Sequence, residues 1–152
     1  MSPNKISIRI VAQRLDWLEK MTIEIHKLPL GNYGAFIADK RNVWAAESCL
    51  RRALEALMDL GRHVAAKGFG RGVTEYKEIA SVLMDGGVLD DEACFLFKTL
   101  AGYRNRMVHF YNEISDEELF EICTCQLSDI SKMAAHIKDW THHNPEVLDE
   151  KL

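Results

Sequence analysis

Apolar residues recur at steps of three and four along most of this chain, the spacing that gathers side chains on one face of an α-helix. Ile8, Val11, Leu15, Leu18 and Ile25 follow it, with one longer stride over Thr22. They predict a first amphipathic helix ending near Leu28-Pro29 and Gly31. Leu30 to Asp39 holds Gly31, Asn32 and Gly34 and reads as a loop. Val43, Ala46, Leu50, Ala53, Leu57, Leu60 and Val64 then alternate steps of three and four without a break, a seam suited to bundle packing. Glu47, Arg51 and Glu55 space the outer face of that helix. Gly68 marks its end, within Lys67-Gly68-Phe69-Gly70-Arg71-Gly72. This glycine-rich connector lacks the Gly-Lys-Ser/Thr close of a nucleotide-binding loop.

A short third helix is predicted from Thr74, with Glu75 in its first turn, carrying Tyr76, Ile79, Val82 and Leu83 and stopping at Gly86-Gly87. A fourth begins with Asp90 as N-cap, and Ala93, Leu96, Phe97, Leu100 and Met107 make its inner face. Ser115-Asp116-Glu117-Glu118 is a capping-box sequence that opens a fifth helix. Its apolar side is Leu119, Ile122, Ile130, Met133, Ile137 and Trp140, and His142-His143-Asn144-Pro145 ends it. A polar tail follows from about Asn144. No run alternates with period two, so no strand is expected. The pattern describes one all-α domain over residues 1–152, an up-and-down bundle of about five helices.

A net charge of −4 argues against a chain that coats nucleic acid non-specifically. It leaves room for a small basic pocket, with Arg51, Arg52, Arg62, Lys67, Arg71, Arg104 and Arg106 as candidates to line it. No apolar run reaches the length of a membrane span, and Met1-Ser2-Pro3-Asn4-Lys5 lacks a signal-peptide pattern, so a cytoplasmic location is expected. Cys49, Cys94, Cys123 and Cys125 show no zinc-ligand spacing and read as reduced and partly buried. Cys123 and Cys125 point to nearly opposite sides of a helix. Trp17, Trp44 and Trp140 read as core or interface anchors, and His63 as one half of a helix-surface pair with Asp59. His26, His136, His142 and His143 lie near helix ends or surfaces without an arginine at comparable spacing.

The candidate chemistry sits in Tyr103-Arg104-Asn105-Arg106-Met107-Val108-His109-Phe110-Tyr111. Arginine grips phosphate with two parallel hydrogen bonds, histidine moves protons near neutral pH, and tyrosine offers a modifiable hydroxyl. Asn105 and His109 share a helix face, whereas Arg104 and His109 stand about 140° apart around an ideal helix. An uninterrupted helix would not focus Arg104, His109 and Tyr111 on one point. Either the helix ends near Phe110–Asn112, or a second subunit completes the site. The bland alternative is a polar helix terminus, with His109 favoured there by the helix dipole.

Arg104-Asn105 and His109-Phe110-Tyr111 resemble the Arg-Asn…His-x-Tyr motif of the HEPN superfamily, and within it of the HepT-like ribonuclease toxin family. The flanks agree: Ala53-Leu54-Glu55-Ala56 through Asp59-Leu60-Gly61, Tyr76-Lys77-Glu78-Ile79 before Gly86-Gly87-Val88-Leu89, and Leu100-Ala101-Gly102-Tyr103. The resemblance spans Ile8 to Trp140 and departs only at the polar margins. It implies a homodimeric HEPN-type bundle acting as a metal-independent endoribonuclease toxin without a cofactor, with the two motifs facing each other across a cleft. Arg104, His109 and Asn105 would be catalytic. A nucleotidyltransferase antitoxin of the MntA type would neutralise the toxin by transferring AMP to Tyr111. Two other readings stand beside this one: a non-enzymatic accessory subunit that presents substrate to a nucleotidyltransferase, and a structural helical scaffold.

Overall fold

The computed structural model describes residues 5–109 and 114–149. Among them the order is β1 (Ile6–Ser7), α1 (Ile8–His26), α2 (Tyr33–Ala38), α3 (Lys40–Phe69), α4 (Tyr76–Asp85), α5 (Asp91–His109), α6 (Asp116–Glu121), a π-helical turn (Ile122–Gln126), α7 (Leu127–His143), a 3-10 turn (Pro145–Val147) and β2 (Leu148–Asp149). The long helices match the apolar steps. No helix among the described residues is long and apolar enough to cross a membrane.

Helix α3 is the spine, at 30 residues and about 45 Å. It packs along α1 and also meets α2, α4, α5, α6, α7 and β1. Its seam residues Leu50, Leu57, Leu60 and Val64 are fully buried, as are Leu54 and Met58 beside them. Asp39 starts the helix, its carboxylate accepting from the Arg41 N–H at 2.9 Å. The end is two residues later than Gly68. Gly70 caps the helix at φ 66°, a left-handed conformation that costs glycine little. Gly68 stays helical and close to the Ile6 side chain.

Gly61 lets three helices meet. A Cβ there would lie 3.0 Å from both the Ile79 side chain on α4 and the Phe97 ring on α5. Phe97 and Ile79 are fully buried.

Several expectations change. The stretch from Leu30 to Asp39 is not all loop, because α2 forms within it. The Asn32 side chain caps α2 by accepting from the Ala35 N–H at 3.0 Å, and Phe36 is buried with its ring 5.3 Å from that of Phe120. Helix α4 starts at Tyr76, not Thr74. The single fifth helix is interrupted by the π turn, where Thr124 Oγ1 donates to the carbonyls of Phe120 (2.9 Å) and Glu121 (3.2 Å). Only half of the capping box forms. Ser115 Oγ accepts from the Glu118 N–H at 3.1 Å, but the Glu118 carboxylate turns to Arg106. Two very short strands exist after all, β1 and β2 pairing in parallel. Val147 and Leu148, within the expected polar tail, pack against the core.

Trp44 is 62% exposed and Trp17 41%, so neither is a core residue, while Trp140 packs on Phe69 with ring centroids 5.5 Å apart. The four cysteines are free, and Cys123 is buried while Cys125 is exposed. Burial, with Cys49 as a smaller cause, pushes the Cys123 thiol up to about 12, so it stays protonated.

His63 does not pair with Asp59, which lies 3.9 Å from Arg62 instead. Its Nε2 accepts a hydrogen bond from the Ser7 N–H at 2.9 Å and so fastens β1 to α3. Burial above all, then Lys67 and Arg14, lowers its pKa. The unfolded chain therefore binds a proton at His63 more readily than the folded one. This contribution to stability is complete above about pH 6.5, the ordinary histidine value, and is lost as pH falls toward the lowered folded value. Urea midpoints should start to fall below about pH 6.5, and His63→Gln, which keeps a neutral acceptor, should remove that step. A midpoint that ignores pH in this window would refute the account.

Candidate functional site

The site is built where α3, α4 and α5 converge. Asp90 caps α5, its carboxylate accepting from the Ala93 N–H at 2.7 Å. Phe97, Leu100 and Ala101 then bury one side of α5 against the core. That anchorage leaves Arg104 and Asn105 on the flank, both half-buried. Tyr103 Oη donates to Gln126 Oε1 at 2.7 Å and ties the same helix to the π turn.

Arg104 is held on two sides. Its Nε lies 3.6 Å from Glu55 Oε1 on α3, an ion-pair distance too long for a hydrogen bond. Its guanidinium carbon sits 4.7 Å from the centroid of the Tyr76 ring at the start of α4. Glu55 Oε1 also accepts from Arg51 Nη1 at 3.3 Å, so one carboxylate serves two arginines. Arg62, one helical stretch further along α3, comes to the same ring at 4.9 Å. Its Nη2 donates to the Thr74 carbonyl at 3.5 Å. The Nε atoms of Arg62 and Arg104 are both buried without a hydrogen-bond partner.

These residues enclose a pocket of about 440 Å³, lined by Arg62, Thr74, Glu75, Tyr76, Lys77, Arg104 and Asn105. That volume is within the range of small-ligand sites. The lining carries three cations and one carboxylate, Glu75, with Glu55 and Asp59 outside it near Arg104 and Arg62, in a chain whose overall charge is −4. Cation–π stacking fixes the plane of a guanidinium while leaving its edge available for phosphate. The arrangement suits an anion attached to a flat ring.

Of the arginines and lysine offered by the sequence, only Arg62 and Arg104 reach this pocket. Arg51 is drawn to Glu55, Arg52 donates to Ser48 Oγ at 3.2 Å, Arg71 lies 3.4 Å from Asp85, and Lys67 is exposed elsewhere. Arg106 turns away despite its place in the motif. Its Nη1 and Nη2 donate to the two Glu118 oxygens at 2.8 and 2.6 Å, a bidentate pair that clips α5 to α6. Hydrogen bonding to Arg106 holds the Glu118 carboxyl below its usual range.

The helix runs without interruption from Asp91 to His109. Arg104 and His109 therefore occupy positions about 140° apart around one axis, as their spacing requires. The His109 side chain, Tyr111 and the expected helix end at Phe110–Asn112 lie outside the described residues. Glu55, Tyr76 and Lys77 are the contributors that no local pattern picks out. The sequence reading places Glu55 on an outer helix face, Tyr76 on the short third helix and all three in the flanks of a resemblance, but not at the site, because they sit on other helices and reach Arg104 through packing.

The chain matches the family described as Ribonuclease HepT-like over residues 14–137. No protein of curated function matches its sequence. Its fold resembles that of a tri-AMPylated HEPN toxin of Shewanella oneidensis in complex with an MNT antitoxin, at TM-score 0.76 and 18% identity over 86% of this chain and 97% of that one. A toxin–antitoxin complex with AMP-PNP gives TM-score 0.73 and 17% identity, over 84% of this chain and 97% of that one. YutE of Bacillus subtilis, a cytosolic protein of unknown function, gives 0.73 and 16% identity, over 88% of this chain and 90% of that one. At such identities these structures establish a common HEPN fold. With most of its length matched, the chain belongs to the HepT-like ribonuclease family.

Proposed function

We propose that this single-domain chain is the toxin of a toxin–antitoxin pair, an endoribonuclease that needs no metal and acts in the cytoplasm as a homodimer. The observation that carries the reading is Arg104, stacked on Tyr76 and steadied by Glu55 at the wall of a cationic pocket. Membership of a ribonuclease family agrees with it.

RNA supplies its own nucleophile. The 2′-oxygen attacks phosphorus, giving its proton to a base, and the 5′-oxygen leaves with a proton from an acid. The products are a 2′,3′-cyclic phosphate and a 5′-hydroxyl. His109 is the proton carrier in this reading, and Arg104 holds the phosphate and offsets the charge that builds on it. Asn105, one turn before His109 on α5, orients the histidine or contacts the phosphate. Each chain provides one such histidine, and a two-fold dimer provides one for each proton transfer.

Tyr111 is the control point. An MntA-type nucleotidyltransferase would join AMP to its hydroxyl, placing bulk and negative charge where substrate phosphate must bind. Two solved structures of this fold are toxin–antitoxin complexes, one AMPylated and one holding AMP-PNP, and they support the partner assignment.

The purified chain, incubated with RNA in excess chelator, should produce fragments ending in 2′,3′-cyclic phosphate. Co-expression with an MntA-type nucleotidyltransferase antitoxin should silence that activity and raise the intact mass by AMP units. Tyr111→Phe should escape both changes. A chain that binds the transferase yet cuts no RNA would make it an accessory subunit instead.

A further inference from the structure

We infer that Arg62 and Lys77, with the Tyr76 ring, form a second phosphate-binding subsite for single-stranded RNA, next to the phosphate held by Arg104. This rests on the nuclease reading and names what the same pocket takes besides the scissile bond. Arg62 comes from α3, Lys77 from α4 and Arg104 from α5, and all three line one cavity. Two guanidiniums share the Tyr76 ring, Arg62 at 4.9 Å and Arg104 at 4.7 Å from its centroid, so one aromatic ring carries both cations into the cavity.

Such crowding of like charge is unfavourable unless anions answer it. The acidic neighbours do so only in part: Asp59 stands 3.9 Å from Arg62, Glu55 stands 3.6 Å from Arg104 while also serving Arg51, and Glu75 lines the same cavity. The Thr74 carbonyl steers Arg62 without neutralising it. A backbone phosphate beside the one held by Arg104 would supply the missing charge. Guanidinium planes are surfaces on which unpaired bases stack. A duplex, with its bases paired and stacked inside, would not offer them.

The test uses the full-length protein and a 2′-O-methyl oligoribonucleotide of about 12 nucleotides, long enough to fill a single-strand site. It lacks the attacking hydroxyl, so it binds without being cut. Affinity is read by fluorescence anisotropy across a salt series. Arg62→Gln and Lys77→Gln should each weaken binding roughly tenfold and reduce the salt slope by about 0.7, the value of one phosphate contact on a single strand. Lys67→Gln, which is exposed outside the pocket, should leave the slope unchanged. Pocket variants with the wild-type slope, or an equal loss in Lys67→Gln, would overturn the subsite. Lys77 is exposed, so its variant answers the question even if Arg62→Gln loosens α4. A wild-type chain that binds the probe but cuts no RNA would remove the nuclease reading and leave this one standing. Pocket variants that bind normally would do the reverse.

Discussion

Arg104→Ala and His109→Ala should each cut RNA cleavage by at least about a hundredfold while the chain stays folded. Loss of a positioned proton carrier costs about 10²–10⁴ in rate, and loss of a donor aimed at developing charge about 10²–10³. Folding should survive because Glu55 keeps Arg51 as a partner when Arg104 is removed. A half-exposed or surface ion pair is worth about 0–1 kcal/mol. At position 109, the last residue of α5, a helix-end charge effect is worth about 0.3–1 kcal/mol. Arg104→Lys is the sharper probe. It keeps the positive charge but loses the planar fork and the stacking on Tyr76, so it should recover little activity. Cleavage measured beside thermal melting separates the outcomes. Variants that cut RNA at near wild-type rates would sink the catalytic assignment, and variants that merely melt early would turn the motif into a structural helix end.

The second large effect is on stability. Phe97→Ala should cost about 3–5 kcal/mol, the usual range for emptying a buried aromatic site. Phe97 is fully buried, and its ring fills the space opened by Gly61. A domain of this size is stable by about 5–15 kcal/mol, so the loss is a large share of the whole. The melting temperature should drop by about 6–20 °C. A drop of only a degree or two would mean that α3 and α5 close over the gap, and that the ring does not hold them apart. Because Arg104 follows on the same helix, the variant should also lose activity at temperatures where it remains folded.

The elements differ in how plainly they could be read beforehand. Helix α3 was legible because seven buried or half-buried positions repeat the same step over its length. Helix α2 was not, since only Phe36 among its six residues is buried, and one side chain makes no period. The π turn hid for the opposite reason. Leu119, Cys123, Leu127 and Ile130 keep a helical rhythm across it, so the apolar stripe never breaks. Two nearby glycines competed to end α3, and only backbone geometry chooses Gly70. At the site, Arg104 and Asn105 could be named because they adjoin His109 in the chain. Arg62 was one of seven scattered cations, and Tyr76 was legible only as one position in the pattern of a short helix. A guanidinium stacked on a ring from another helix is a product of tertiary packing, and no spacing rule encodes it. Arg106 shows the converse error. It sits inside the motif, yet Glu118 has claimed it.

Gly61 stands next to Arg62 in the chain and beneath the side chains that seat α4 and α5. The calibre of the pocket is thus set from within the core, at a point that neither solvent nor RNA can reach. Replacing one hydrogen by a methyl group there would press on Ile79 and Phe97 and so shift α4 and α5, without changing the identity of any residue that lines the pocket. The reactivity of this surface is in that sense a dimension of its interior.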